Sequence, residues 1–230
     1  MATRRRVAAF DFDGTLSKRD TLIPFLIEAA GRRRFSVVTS RLGSLGLLGK
    51  VPLTDRDHMK ELMIRDLLGG RNESTLREHG ERYARQVLAT KMNDSVVGRL
   101  KEHRDSGHEV VLVSASLVYY LDPIARILGV DTVIAVEPTV IDGVLDGTLT
   151  HPNVRAEQKS IRLNEWLDQS DGSDSDKKSD TGQRVVELWA YGNSSGDHEL
   201  LEQADHAFWL GSERKRPDNV TQFTSETPIR

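Results

Sequence analysis

Two carboxylates one residue apart, Asp11 and Asp13, stand at the end of an apolar run in the segment Val7–Ser17, VAAFDFDGTLS. A pair so placed can divide labour. One carboxylate can attack while the other moves protons, or both can hold a hard cation through oxygen. The bland alternative is an Asp13-Gly14 turn with Asp11 capping a backbone group. The full D-x-D-G-T string should arise by chance in roughly one chain of this length in several hundred, which weighs against a turn alone. Phosphoryl transfer needs such a pair. It also needs a metal ion to neutralise charge, a proton for the leaving group and donors for three equatorial oxygens.

Other positions can supply those parts. Ser114, in EVVLVSAS, precedes a helical pattern, and a hydroxyl beside the N–H groups of a helix start suits a phosphate. Its alternative, shared with Ser116, is a helix N-cap. Lys159 falls in the first turn of another helical pattern, an electrostatically poor place for a cation, which marks it as a phosphate ligand against the ordinary reading of a solvated lysine. The loop GNSSGD (192–197) offers oxygen donors in Asn193 and Asp197, unless it is only a Gly/Ser/Asn turn. The seven histidines show no zinc-binding spacing. With no cysteine in the chain, thiolate nucleophiles, Cys-ligated zinc and disulfides are excluded.

These residues need a frame that brings strand ends together. Four apolar runs read as buried strands: 7–10, 109–116, 132–136 and 185–192, with 206–211 as a fifth. Their near-continuous apolar character suits a parallel sheet covered on both faces. Helical patterns over 117–128, 156–168 and 198–204 alternate with them, so the fold class is a doubly wound, mostly parallel α/β sheet. Residues 17–95 read as helical throughout. They form an insertion after the first strand, with return to the sheet near Val96. The expected organisation is a core of 1–16 and 96–211 with a helical cap of 17–95. VIDGVLDGTL (140–149) carries a hairpin signal. Residues 170–182 read as a disordered polar loop, and 212–230 as a flexible tail.

The chain resembles the haloacid dehalogenase superfamily of phosphatases, in the branch that includes phosphoserine phosphatase. The matches are DFDGT (11–15), VLVSAS (111–116), Lys159 in EQKSIRLNEWL and YGNSSGDHELL (191–201), in the family's order, with the helical insertion where this branch carries its cap. HPNVRAEQKS (151–160) also resembles uncharacterised members of the branch. The resemblance implies that Asp11 attacks phosphorus to give an aspartyl-phosphate. It implies that Asp13 protonates the leaving oxygen and then activates water. Ser114, Ala115 and Lys159 would hold the phosphoryl oxygens. Mg2+ would be bound by Asp11, by the Asp13 backbone carbonyl and by the GNSSGD loop, under a cap that excludes water. One departure is Asn193, where the family typically has a metal-ligating Asp. Either Asn193 ligates through its amide oxygen with Asp197 adding charge nearby, or Asp197 ligates directly and Asn193 shapes the loop.

The expected substrate is a small phosphorylated metabolite, amine-bearing or a lipid phosphate. Asp20 corresponds to a glutamate that meets the substrate amine in phosphoserine phosphatases, and is equally an N-cap for the first helix of the insertion. The segment 31–50 mixes Arg32, Arg33, Arg34, Arg41 and Lys50 with apolar residues. That suits a membrane surface, although Gly43, Gly46 and Gly49 favour packing into the cap. A net charge of -3 gives no bulk case for nucleic acid. The interrupted apolar run after Arg4–Arg6 makes no signal peptide, so a cytoplasmic protein is expected, with its oligomeric state open. Two other classes compete: a catalytically silent phosphate-binding regulator on the same fold, and a receiver-type phosphoacceptor, which explains neither Asp13 nor the insertion.

Overall fold

A computed structural model of the chain describes residues 4–49, 55–170, 186–226 and 229. The strands in chain order are β1 (Arg5–Phe10), β2 (Glu109–Leu117), β3 (Thr132–Val136), β4 (Pro138–Ile141), β5 (Val144–Leu149), β6 (Val186–Gly192), β7 (His206–Trp209) and β8 (Thr221–Gln222). Six of them form one sheet in the order β3-β2-β1-β6-β7-β8, and every neighbouring pair is parallel. Val7, Ala8, Ala9 and Phe10 are wholly buried, as an apolar run covered on both faces requires. The chain builds outward from β1 on one side through β2 and β3, then on the other through β6 and β7. That reversal places a crevice at the carboxyl end of β1, where Asp11 follows Phe10.

Among the described residues, five helices lie between β1 and β2: α1 (Leu22–Ala30), α2 (Arg32–Leu47), α3 (Arg56–Leu68), α4 (Glu73–Thr90) and α5 (Asp94–Asp105). Val96, expected near the return to the sheet, is inside α5, and the sheet resumes only at Glu109. Val96 and Leu100 are buried on the face of α5 that packs on β2, so their apolar spacing is that of a helix. The remaining helices are α6 (Val118–Leu128), α7 (Glu157–Ser170) and α8 (His198–Glu202). The hairpin β4–β5 leans on the inserted helices: the Gly70 N–H donates to the Leu145 carbonyl at 2.8 Å and the Leu145 N–H to the Arg71 carbonyl at 2.9 Å.

Beyond Ser212, where a frayed tail was expected, β8 adds a parallel edge to β7. The Phe223 N–H donates to the Trp209 carbonyl at 2.8 Å, and Val220 is buried. The exposed edge of β7 offers unpaired backbone groups that a polar segment can satisfy. The polar loop read over 170–182 lies, apart from Ser170 at the end of α7, outside the described residues.

Insertion and core meet tightly at α4 and α6. The rings of Phe25, Tyr83 and Tyr120 pack with centroids 4.9–5.3 Å apart. A Cβ at Gly80, in α4, would collide with the Tyr119 backbone carbonyl. Gly80→Ala should therefore destabilise the protein by about 1–3 kcal/mol, despite the roughly 1 kcal/mol by which Ala outranks Gly in a helix. Gly98→Ala, in α5 with open space at its Cβ, should instead stabilise slightly. Urea midpoints of the two variants would test the contrast.

Candidate active site

β1 delivers Asp11 to the crevice. Its N–H continues the sheet ladder by donating to the Tyr191 carbonyl at 2.9 Å. The chain then turns on itself, with the Thr15 and Ser17 N–H groups both donating to the Phe12 carbonyl. Gly14 permits this turn at φ 84°. It also gives space to the Asn193 side chain, whose amide nitrogen a Cβ on Gly14 would overlap.

Asp11 is buried. Its Oδ2 accepts from Thr15 Oγ1 at 2.9 Å and its Oδ1 from Lys159 Nζ at 2.5 Å. Lys159 stands in the first turn of α7, and its ammonium also donates to Asp197 Oδ1 at 2.7 Å. One buried cation thus joins two buried carboxylates. Burial works against the charge on Lys159, but Asp11 and Asp197 outweigh it and raise its pKa. For Asp11, burial and the nearby Asp197 charge push the carboxyl up, with Lys159 opposing. Burial also disfavours charge on Asp197, yet Lys159 and the N–H groups of Asn193 and Ser194 hold its pKa down.

Asp13 is held from two other elements. Its Oδ1 accepts from the Thr21 N–H at 2.7 Å and from Thr21 Oγ1 at 2.6 Å. Its Oδ2 accepts from Ser116 Oγ. Burial raises its pKa, against the pull of the Ser116 and Thr21 bonds. Ser114 is buried at the edge of the site, and its Oγ accepts from the Ser116 N–H at 3.1 Å. A cavity of about 120 Å³ opens between Asp11, Asp13, Ser114, Ala115, Lys159, Arg155, Ser194, Gly196 and Asp197. A larger cleft of about 460 Å³, between α3 and β5, shares no residue with it.

The structure thus brings Asp11, Asp13, Ser114, Ala115, Lys159 and Asp197 to one cavity, with Asn193 against Gly14 at its edge. For two of the expected residues the partners bear on which of the open alternatives applies. Asp197, counted among the metal-ligand candidates, has both oxygens occupied: Oδ1 by Lys159, and Oδ2 by the N–H groups of Asn193 and Ser194 and by Ser194 Oγ. Asp20 is exposed, and its two oxygens accept the Leu22 and Ile23 N–H groups at 3.2 Å, which is the capping role.

Sequence reasoning missed several contributors. Thr15 was signalled only by its place in DxDGT, and Ser116 only by standing two residues from Ser114. Thr21 and Lys60 carried no pattern of their own, and Asn153 and Arg155 only their place in HPNVRAEQKS. Lys60, on α3, donates to Asn153 Oδ1 at 2.8 Å, and Asn153 Nδ2 donates to Asp57. Burial lowers the Lys60 pKa to about 7, against the pull of Asp13 and Asp57. Insertion and core therefore touch beside the carboxylate pair. The turn into α7 carries local strain, because Ala156 has φ 52°, a region costly for a residue with a Cβ. Ala156→Gly should raise stability by roughly 0.5–1 kcal/mol, read as a higher urea midpoint.

Residues 8–202 match the family described as haloacid dehalogenase-like hydrolase. Protein CicA of Caulobacter vibrioides is 32% identical over 200 residues, covering 86% of this chain and 83% of that protein. A solved protein of unknown function from Bordetella pertussis Tohama I superposes with a TM-score of 0.73 at 25% identity, over 92% of this chain and 93% of that one. A probable phosphoserine phosphatase from Vibrio cholerae superposes with a TM-score of 0.64 at 16% identity, over 92% of this chain and 58% of that one. At that identity the last likeness speaks to the fold alone.

Proposed function

Because this chain belongs to the haloacid dehalogenase-like hydrolase family, we propose that it is a magnesium-dependent phosphomonoester hydrolase working through an aspartyl-phosphate on a small phosphorylated metabolite. The observation that carries this reading is the buried Asp11, 2.5 Å from Lys159, facing a cavity edged by Ser114 and Ala115. Asp11 attacks phosphorus in line as the bond to the leaving oxygen breaks. Asp13 gives that oxygen a proton. It then takes one from the water that cleaves the acyl-phosphate and frees inorganic phosphate. The Lys159 ammonium and the Ser114 hydroxyl hold the equatorial oxygens. The helices between β1 and β2 act as the cap that keeps bulk water out.

Mg2+ fits the donor set. Asp11, the Asp13 carbonyl and the Asn193 amide offer only hard oxygen, and Mg2+ commonly takes one or two carboxylates and completes its shell with water and phosphate. Among the described residues no three His, Asp or Glu side chains are grouped for a tighter site. Bound there, the ion would neutralise charge on the phosphoryl oxygens. Asp197 then positions Lys159 and braces the loop that carries Asn193. With Asp20 committed to capping α1, no amine is assigned to the substrate.

The test is phosphate release from p-nitrophenyl phosphate and a panel of small phosphomonoesters, with Mg2+ and with EDTA, beside Asp11→Asn. Turnover should require Mg2+ and fall at least about 10³-fold in the variant. Native-level turnover by Asp11→Asn would overturn the mechanism. A native protein that binds fluoroberyllate but hydrolyses nothing on the panel would be the silent regulator instead.

A further inference from the structure

Among the described helices of the insertion, α2 buries the smallest share of its residues. Its sixteen residues include Arg32, Arg33, Arg34 and Arg41 and no acidic residue, in a chain whose net charge is -3. Only Val38 and Leu42 are buried, on its inner face. On the opposite face Arg33, Val37, Arg41, Ser44 and Leu48 follow at spacings of three and four residues, which puts them on one stripe. Val37 is 62% exposed, Leu48 69%, and Leu47, at the helix end, 86%. Exposed apolar groups next to arginines do not help this fold. Arg34 donates to the Asp66 carbonyl and Arg41 lies 3.8 Å from the Asp66 carboxylate, while Leu47 and Leu48 stay mostly exposed. The inner face of α2 packs on α1 and α3, but that packing leaves the outer face uncovered, and Gly43 has open space where a Cβ would stand.

We propose that the outer stripe of α2 docks on an anionic lipid bilayer. Charge decides between occupants. A second copy would bring the same acid-free, cationic stripe against itself in a two-fold contact, whereas a bilayer with anionic headgroups presents negative charge above an apolar layer. Arginines at headgroup level with leucines dipping below them are the arrangement of an interfacial helix. The contact is peripheral, since no helix among the described residues is long and apolar enough to cross a membrane. It is independent of the hydrolase reading.

Flotation of the purified full chain with phosphatidylcholine vesicles, with and without 30 mol % phosphatidylglycerol (about a third anionic, enough to hold basic segments), tests it directly. Binding should need phosphatidylglycerol and weaken in high salt. Arg33→Ser with Arg41→Ser should lower the partition coefficient roughly tenfold or more, and Leu47→Ser with Leu48→Ser by a similar factor. Thermal melts show whether these surface variants stay folded, and native turnover or its absence leaves the result unaffected. Absence of binding to anionic vesicles, or equal binding by folded variants, would overturn the proposal. So would a native dimer that Leu47→Ser with Leu48→Ser converts to monomer without vesicle binding, because the stripe would then be a contact between copies.

Discussion

Lys159→Met should abolish turnover and destabilise the metal-free protein by about 3–5 kcal/mol at neutral pH, the usual consequence of breaking a buried ion pair from one side. Lys159 Nζ stands 2.5 Å from Asp11 and 2.7 Å from Asp197, and all three side chains are buried. Without the ammonium, two carboxylates share a dry site with no cation between them. At least one must then hold a proton in the fold, so its folded pKa is raised above its unfolded value. Such a group contributes stability that is present at low pH and is lost as pH rises through the folded pKa. The deficit of Lys159→Met should therefore be smaller at about pH 5 than at about pH 8. Asp197→Asn added to Lys159→Met removes one of the stranded charges. It should return part of the stability and none of the activity, since nothing replaces the charge beside the phosphoryl group. Urea titrations at the two pH values would read both effects. Native-like stability of Lys159→Met at pH 8 would show that the three charges are not coupled as their distances imply.

The parts of this site legible in the sequence are those carried by strand ends. Val7–Phe10 is apolar without alternation because β1 is covered on both faces, and whatever follows such a strand must emerge at the sheet's edge. Asp11 and Ser114 were visible for that reason, and Lys159 because a cation at a helix start goes against the helix dipole. Partners that come from distant segments left no comparable trace. Thr21 reaches Asp13 across eight residues of irregular chain, and Asn153 meets Lys60 across ninety-three. Both contacts depend on how α1 and α3 fold back over the sheet. No local pattern encodes that packing. The same limit explains Asp20 and Asp197: residue type offered a ligand in each case, whereas their hydrogen-bond partners make one a helix cap and the other a brace for lysine. The tail shows the converse, since its polar composition hid a strand whose stability comes from the edge of β7.

On the proposed mechanism, Asp13→Asn separates the proton-transfer role from the nucleophile. The substitution is well tolerated by the geometry. Asp13 Oδ1 accepts two bonds from Thr21 and must remain an oxygen, but Oδ2 faces the Ser116 hydroxyl, which can rotate to accept from an amide NH2. The fold should lose little, and the change should appear in kinetics. In kcat/KM only the steps up to the first irreversible one count, here cleavage of the bond to the leaving oxygen. An alkyl phosphate needs a proton on that oxygen, so Asp13→Asn should lower its kcat/KM by about 10²–10⁴-fold. A nitrophenolate leaves without one, and kcat/KM for p-nitrophenyl phosphate should fall by less than about tenfold. Its kcat should fall further, because in the proposed mechanism breakdown of the acyl-phosphate still needs Asp13 to take a proton from water. Asp11→Asn, by contrast, should suppress both substrates alike. Equal losses of kcat/KM on the two substrates in Asp13→Asn would remove Asp13 from the acid role and leave it as a partner of Thr21 and Ser116 that shapes the turn behind the nucleophile.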